Sequence, residues 1–415
     1  MPDSVHTAGQ RPTWAEIDLA ALASNFHVIK RRIGSGVKVM AIVKANAYGH
    51  GAVECARRLA QEGADWFGVA LPEEGVELRT SGITQPILCL AGFWEGQAAS
   101  CIQERLVPVV FRLDMIEAFN SAARDAGMIA DVHVKIDTGM GRLGVRFDEV
   151  NEFADALKRF ENIRIDGLMT HFAAADDPMC ETLTEDQIER FENVARLFRE
   201  RGYAPTYLHS ANSAGIFSHP EALGNMVRPG GVLYGLWRDI LPPATENSPG
   251  SPRGQLAWGA SQLRPVMALH SRITFLKWVP QGETIGYGCT FEASRKSLVA
   301  TVPIGYDDGY MRGLSNRSHV IVRGAYAPVV GRISMDLTLL DVTGVAGVQL
   351  DDQVTLLGLG PQPDPKRGLG LTVSASAQNE EQLAVNAEDL AKIAGMLSYE
   401  VTCGIGERVP RVYNE

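Results

Sequence analysis

Between Trp14 and Trp237 short, continuous apolar runs rich in β-branched residues alternate with longer amphipathic stretches. "VKVMAIVK" reads as a strand and "GAVECARRLAQEG" as a helix closed by Gly63. "WFGVA" is the next strand, and "PEEGVELRTSG" a helix with acidic residues in its first turn and Gly82 past its end. "PILCL", "VPVV", "DVHVKIDT", "IDGLMTHF" and "TYLHS" continue the series, with helical stretches such as "TEDQIERFENVARLFRERG" between them. Apolar runs that do not alternate are those of strands buried on both faces, as in a parallel sheet covered by helices. About eight such units in some 230 residues predict a (β/α)8 barrel of the TIM type rather than an open sheet.

The pattern breaks at "LPPATENSPGSPRGQ", rich in Pro, Gly and Ser, which reads as a boundary segment. Beyond it the period changes to two. "VMALHSRITFLKWV", "SLVATVPIGY", "HVIVRGAYAPVVGRISMDLTLLDVT" and "DQVTLLG" read as antiparallel strands joined by tight turns. The expected fold is therefore α/β: a barrel over residues 12–250 and a predominantly β C-terminal domain over 251–415. A polar stretch at about 361–386 reads as an exposed insertion, and "AEDLAKIAGM" as a short helix after it.

Composition narrows the function classes. A net charge of −10 offers no basic footprint for nucleic acid or an anionic membrane. No apolar run approaches the roughly 18–20 residues a membrane span needs. The leader "MPDSVHTAGQRPT" has neither the basic nor the apolar region of a signal peptide. Six cysteines stand without CxxC pairs or zinc spacing, which suits reduced thiols in a cytoplasmic protein and no metal.

Candidate chemistry gathers where barrel strands end, the side on which such barrels carry their active sites. In "AIVKANAYGHG" a strand runs onto Lys44 and straight into a glycine-bearing loop. Arg142 follows "VKIDTGMG", His171 ends "GLMT", Asn212 and Ser213 follow "TYLHSA", and Arg228 precedes "PGG". A lysine in a partly dry pocket forms a Schiff base with an aldehyde, and glycine N–H groups with hydroxyls grip a phosphate. Pyridoxal phosphate fits that set, although sugar-phosphate barrels use similar glycine loops.

"AIVKANAYGHG" resembles the cofactor-lysine motif of the alanine racemases, and the resemblance runs on in family order. It takes in "VKIDTGMGRLG", "THFA", "HSANSAG", "VRPGGVLYG", "IGYGCTF", "PIGYDDGY", "VGRISMDLTLLDVT" and "YEVTCGIGERVPRVY". The resemblance implies an isomerase, a pyridoxal 5′-phosphate-dependent racemase of L- and D-alanine that supplies D-alanine for peptidoglycan. Lys44 would carry the cofactor and act as base on the D face, with Tyr287 opposite it on the L face. Tyr48, Asn212, Ser213, Gly230, Gly231 and Tyr399 match cofactor-binding positions, Arg228 the residue at the pyridine nitrogen and His171 the partner of Arg228. Arg142 and the backbone of Met335 match groups that hold the substrate carboxylate, and Lys135 stands where many members carry a carbamylated lysine. Asp176, Tyr306, Arg312, Arg332, Asp336 and Leu397 match the access corridor, while Asp307 and Asp308 read as loop polarity. Gly231 departs from the bulkier apolar residue usual there.

The resemblance also implies a homodimer with shared sites, and the chain leaves open which subunit supplies Tyr287 and Met335. Three alternatives stay open. A broader serine/alanine racemase is the nearest; a barrel decarboxylase would carry an acid where Arg228 stands, and a non-catalytic cofactor carrier would lack the second domain.

Overall fold

The first strand departs from the expected layout. Strand β1 (Thr13–Asp18) runs directly into helix α1 (Leu19–Ile33), which reads as the opening βα step of the barrel. It pairs instead with strands at the far end of the chain, antiparallel to one and parallel to another. The computed structural model describes residues 10–240, 262–360 and 382–415. Within it the chain forms two compact units, Leu19–Arg264 and a second made of Pro265–Glu415 with the residues up to Asp18. Residues 12–18, expected in the barrel, thus belong to the β-rich unit. A strand pattern records burial and not its partner, and this partner lies some 250 positions away. The leader up to residue 9, the expected boundary at 250/251 and positions 361–381 of the polar stretch lie outside the described residues.

The first unit carries eight parallel strands: β2 (Lys38–Ile42), β3 (Trp66–Val69), β4 (Ile87–Cys89), β5 (Leu106–Val110), β6 (Ala130–Asp137), β7 (Ile163–Met169), β8 (Tyr207–His209) and β9 (Met226–Val227). They neighbour one another in chain order, and β9 returns to β2. Asn225 N–H donates to Leu208 O at 3.2 Å and Arg228 N–H to Ala211 O at 3.0 Å, which draws the last two together and nearly closes the barrel. Seven of these strands coincide with the apolar runs; β9 is only two residues long and leaves no run to see. Met40, Ile42, Trp66, Leu88, Val109, Met169 and Met226 pack as one buried cluster.

Helices fill the connections as the periodicity expects. They are α2 (Ala52–Gln61), α3 (Pro72–Thr80), α4 (Ala98–Gln103), α5 (Leu113–Asp125), α6 (Val150–Leu157), α7 (Glu181–Glu200) and α8 (Ser213–Ser218). Gly63 and Gly82, with φ of 89° and 90°, close α2 and α3 in the left-handed conformation that suits glycine.

The second unit is mostly antiparallel sheet. Strands β10 (Met267–Arg272), β13 (His319–Val322), β14 (Ala325–Pro328), β16 (Gln353–Leu359) and β18 (Arg411–Asn414) join β1 in the order β14-β13-β16-β10-β1-β18. Strand β17 (Ala384–Val385) pairs with β16 beside the undescribed stretch. A separate three-stranded sheet holds β11 (Phe275–Val279), β12 (Ser297–Val302) and β15 (Thr338–Asp341). The run "VMALHSRITFLKWV" holds two strands, and they lie in two sheets.

Candidate active site

Strand β2 ends at Ile42, and Lys44 follows, half-buried. The next four residues, Ala45 to Tyr48, have φ between 52° and 54°. A run of left-handed non-glycine residues costs roughly 1–2 kcal/mol each, so surrounding bonds must hold it. Ala47 N–H donates to Val43 O at 2.8 Å and Gly49 N–H to Ala45 O at 3.0 Å. His50 Nδ1–H donates to the carbonyls of Ala47 at 2.9 Å and Tyr48 at 3.0 Å. The turn delivers the Tyr48 hydroxyl to the loop after β9, where a Cβ at Gly230 would lie 2.4 Å from it. Only glycine leaves that approach open.

Ser213, buried at the start of α8, accepts the Gly230 N–H at 2.9 Å. Asn212 caps the same helix, its Oδ1 accepting the Gly215 N–H at 3.0 Å. Gly231 opens a 3-10 turn, Gly231–Tyr234. Hydroxyls of Tyr48 and Ser213 thus border a backbone made of two glycines. That is the donor set and bare surface a phosphate group requires.

Arg228 is 4% exposed and heavily bonded. One terminal nitrogen donates to His209 Nδ1 at 3.0 Å and His209 O at 2.7 Å. The other donates to Thr170 O at 2.7 Å and Ser210 O at 2.9 Å, with His171 Nδ1 at 3.4 Å. Burial pushes this guanidinium down to about 9, which leaves it cationic at neutral pH. Among these bonds none uses Nε, so its N–H is the donor left for a ring nitrogen. His209 is consequently the closer histidine partner, and His171, expected in that place, is the longer contact.

The histidines behind Arg228 were not singled out from sequence. Guanidinium can only donate, so His209 Nδ1 accepts, and its Nε2–H donates to His133 Nδ1 at 2.8 Å. Burial, reinforced by Arg228, pushes His133 down to about 3 and His209 well below the usual histidine range. Both rings are therefore neutral, with tautomers set by Arg228. His133 Nε2 is buried with no hydrogen-bond partner among the described residues. The alternation of His133 and Lys135 along β6 was the available signal, since residues two apart share a face.

Lys135 is 5% exposed, and burial followed by Arg228 and Arg142 lowers its amine to about 7 against the pull of Asp137. Lys44 adds to the effect. His171 is lowered well below its usual range by burial and then by Arg228, Lys135, Arg142 and Lys44. Lys135 and His171 accordingly each feel Arg228, Arg142 and Lys44. Asp176 is exposed in the loop after β7.

The other expected residues belong to the second unit, most of them on its loops and short turns. Tyr287 is 70% exposed in a one-turn 3-10 segment, Tyr287–Cys289, beside Gly288, whose Cβ would lie 2.9 Å from the Arg332 guanidinium. Tyr306 N–H donates to Ser334 O at 3.0 Å, and Asp307 N–H donates to Met335 O at 3.2 Å. A Cβ at Gly305 would lie 2.3 Å from Met335 O, so these two loops touch backbone to backbone. Arg312 and Arg332 line a cavity of about 520 Å³ with Gly313 and Ser315. Leu397 is exposed and Tyr399 half-buried, at the start of the helix Ser398–Cys403.

The Asp307–Asp308 pair is more than loop polarity. Asp308 is fully buried, takes both terminal nitrogens of Arg11 at 2.8 and 2.7 Å, and accepts the Gly305 N–H at 3.0 Å. Arg408 pairs with Asp307, with Asp336 at 2.7 Å and with Asp308 at 3.2 Å. The clasp fixes the loops that carry Tyr306, Met335 and Asp336.

The family model described as alanine racemase, N-terminal domain, matches residues 17–237, and that for the C-terminal domain matches 266–413. The chain belongs to the alanine racemase family. An alanine racemase of Citrifermentans bemidjiense is 42% identical over 408 residues, covering 97% of this chain and 99% of the relative. One from Geobacter sulfurreducens is 42% identical over 410 residues, 97% of each. Among solved structures, the Clostridium difficile alanine racemase gives a TM-score of 0.83 at 35% identity, covering 97% of this chain and 96% of that one. The enzyme from Streptomyces lavendulae gives 0.82 at 33%, covering 99% and 98%. The protein is thus an isomerase that interconverts L- and D-alanine, and its cofactor is pyridoxal 5′-phosphate. Decarboxylation and a non-catalytic carrier role are not favoured. Among the described residues no helix is long and apolar enough to cross a membrane.

Proposed function

We propose that this alanine racemase works by two bases, Lys44 and Tyr287, acting on opposite faces of the substrate Cα. The observation that carries the proposal is the Arg228 site, a buried guanidinium with both terminal nitrogens spent on protein acceptors and Nε–H left over. When bound, pyridoxal phosphate supplies an aldehyde for the amino group of the substrate and a conjugated ring that acidifies Cα–H. Lys44 would hold its aldehyde carbon; Tyr48, Ser213, Gly230, Gly231 and Tyr399 its phosphate, and Arg228 its ring nitrogen. Asn212 fixes the helix start that presents Ser213, and His171 braces Arg228.

Arg228 is cationic at neutral pH and its guanidinium has no acceptor, so a nitrogen facing it would receive a hydrogen bond and stay unprotonated. With that nitrogen unprotonated the ring would draw less charge from Cα, which would keep proton return at Cα with Lys44 and Tyr287. Racemisation is favoured over side reactions by that one donor. Arg142 and the Met335 N–H hold the carboxylate so that only Cα–H changes sides. Lys135, lowered to about 7, offers a neutral amine able to add carbon dioxide, and the resulting carbamate would face Arg142. Asp176, Tyr306, Arg312, Arg332, Asp336 and Leu397 would line the path in.

Because Lys44 and Tyr287 belong to separate units, we read the active form as a homodimer in which Tyr287 of the partner subunit faces Lys44. Cytoplasmic supply of D-alanine for peptidoglycan is the use this reading gives the reaction. Loss of a positioned acid–base group costs roughly 10²–10⁴-fold. Tyr287→Phe should lose racemisation by about that factor yet still exchange the Cα hydrogen of D-alanine with deuterated solvent through Lys44. Equal loss of exchange from both enantiomers would contradict the two-base reading.

A further inference from the structure

We infer that Glu74 is a positioning residue for Lys44, clasping the left-handed turn that joins Lys44 to Tyr48; the inference rests on the reading of Lys44 as the cofactor lysine. Ala45 is the first residue of that turn, and the turn's own bonds start beyond its N–H, at Ala47 and Gly49. Glu74 Oε1 accepts the Ala45 N–H at 2.6 Å. Its Oε2 accepts the N–H groups of Ala70 at 2.7 Å and Leu71 at 3.1 Å, where the chain leaves β3 for α3. One carboxylate therefore ties together the ends of two adjacent barrel strands, and one of its three bonds falls on the peptide immediately after Lys44.

The geometry needs such an outside hold. None of the four left-handed positions is a glycine, and all but Asn46 disfavour the conformation they hold. At the far end Asn46 Oδ1 accepts the Ala52 N–H at 2.7 Å and His50 holds the carbonyls of Ala47 and Tyr48. At the near end Glu74 is the side chain that meets the turn. A bond from N–H to a carboxylate is charge-assisted and stronger than a neutral one. Glu74 also caps α3, the acidic half of a capping box, and a helix cap alone would leave the Lys44 turn indifferent to it.

Glu74→Gln separates the two roles. The amide oxygen of glutamine can keep Ala70 and Leu71, but its NH₂ then faces the Ala45 N–H, so the cap survives and the clasp opens. Compared with wild-type holoenzyme, the variant should melt within a few degrees. Its dissociation constant for pyridoxal 5′-phosphate, read by absorbance titration, should rise about tenfold or more. Its kcat should fall with little change in KM, and hydrogen exchange at the Ala45 amide should accelerate. Adding Ala45→Gly, which adopts positive φ without penalty, should restore part of the cofactor affinity. Wild-type cofactor affinity together with unchanged exchange at Ala45 would overturn the clasp. Borohydride labelling of a lysine other than Lys44 in the wild-type protein is a separate failure, which removes the reading of Lys44 itself.

Discussion

Lys135 shows how a single buried amine links stability to chemistry. An unfolded lysine titrates near 10.4, whereas burial and two arginines lower this one to about 7. Between those values the unfolded chain binds more protons, so stability rises with pH across the window, and below about 7 the full penalty of the buried ammonium is present. The whole shift corresponds to roughly 5 kcal/mol. In protein whose mass shows an unmodified Lys135, denaturant midpoints should gain on those of Lys135→Met as pH goes from 7 to 10. A difference between the two that is flat with pH would contradict this. A carbamate at the same position, as proposed above, would remove the amine's titration, so added carbon dioxide should flatten this pH dependence.

At the level of elements, the site depends on how closely strands can pass. On β7 a Cβ at Gly167 would lie 2.5 Å from Nδ1 of His133, the ring that backs His209 and through it Arg228. Gly167→Ala should therefore destabilise by about 1–3 kcal/mol and slow racemisation, since the displaced ring carries His209 and Arg228 with it. His133→Ala in the same chain should recover part of the stability by freeing that space. A Gly167→Ala protein with wild-type midpoint and rate would show that the histidine stack does not transmit. Seven barrel strands and the helices between them were legible as periodicity because their burial is local to each run. Strand β9 was not, since two residues carry no period, and β1 was not, since its partners are distant in sequence. Lys44, Ser213 and Arg228 stood out by residue type at strand ends, and Tyr48 by the family resemblance. His209, His133 and Glu74 did not, because their roles are hydrogen bonds to other side chains and to backbone that only the folded geometry brings into reach. Asp308 was passed over for the same reason, its two arginine partners being nearly 300 and 100 positions away.

Over the whole molecule, the two proposed bases stand on separate compact units, with Lys44 in Leu19–Arg264 and Tyr287 in the strand-rich unit. A chain with Lys44→Ala and a chain with Tyr287→Phe are each expected to be inactive alone. If sites are shared between subunits, mixing and exchanging them leaves one site in each mixed dimer with both bases, and activity reappears. Subunit exchange without recovery would reject sharing. The amine of Lys44 is expected to join the cofactor aldehyde, and that bond can be read directly. Borohydride reduction of the holoenzyme followed by peptide mapping should find the reduced pyridoxyl group on Lys44, in the peptide containing "AIVKANAYGHG". A label on any other residue, or none, would contradict the account.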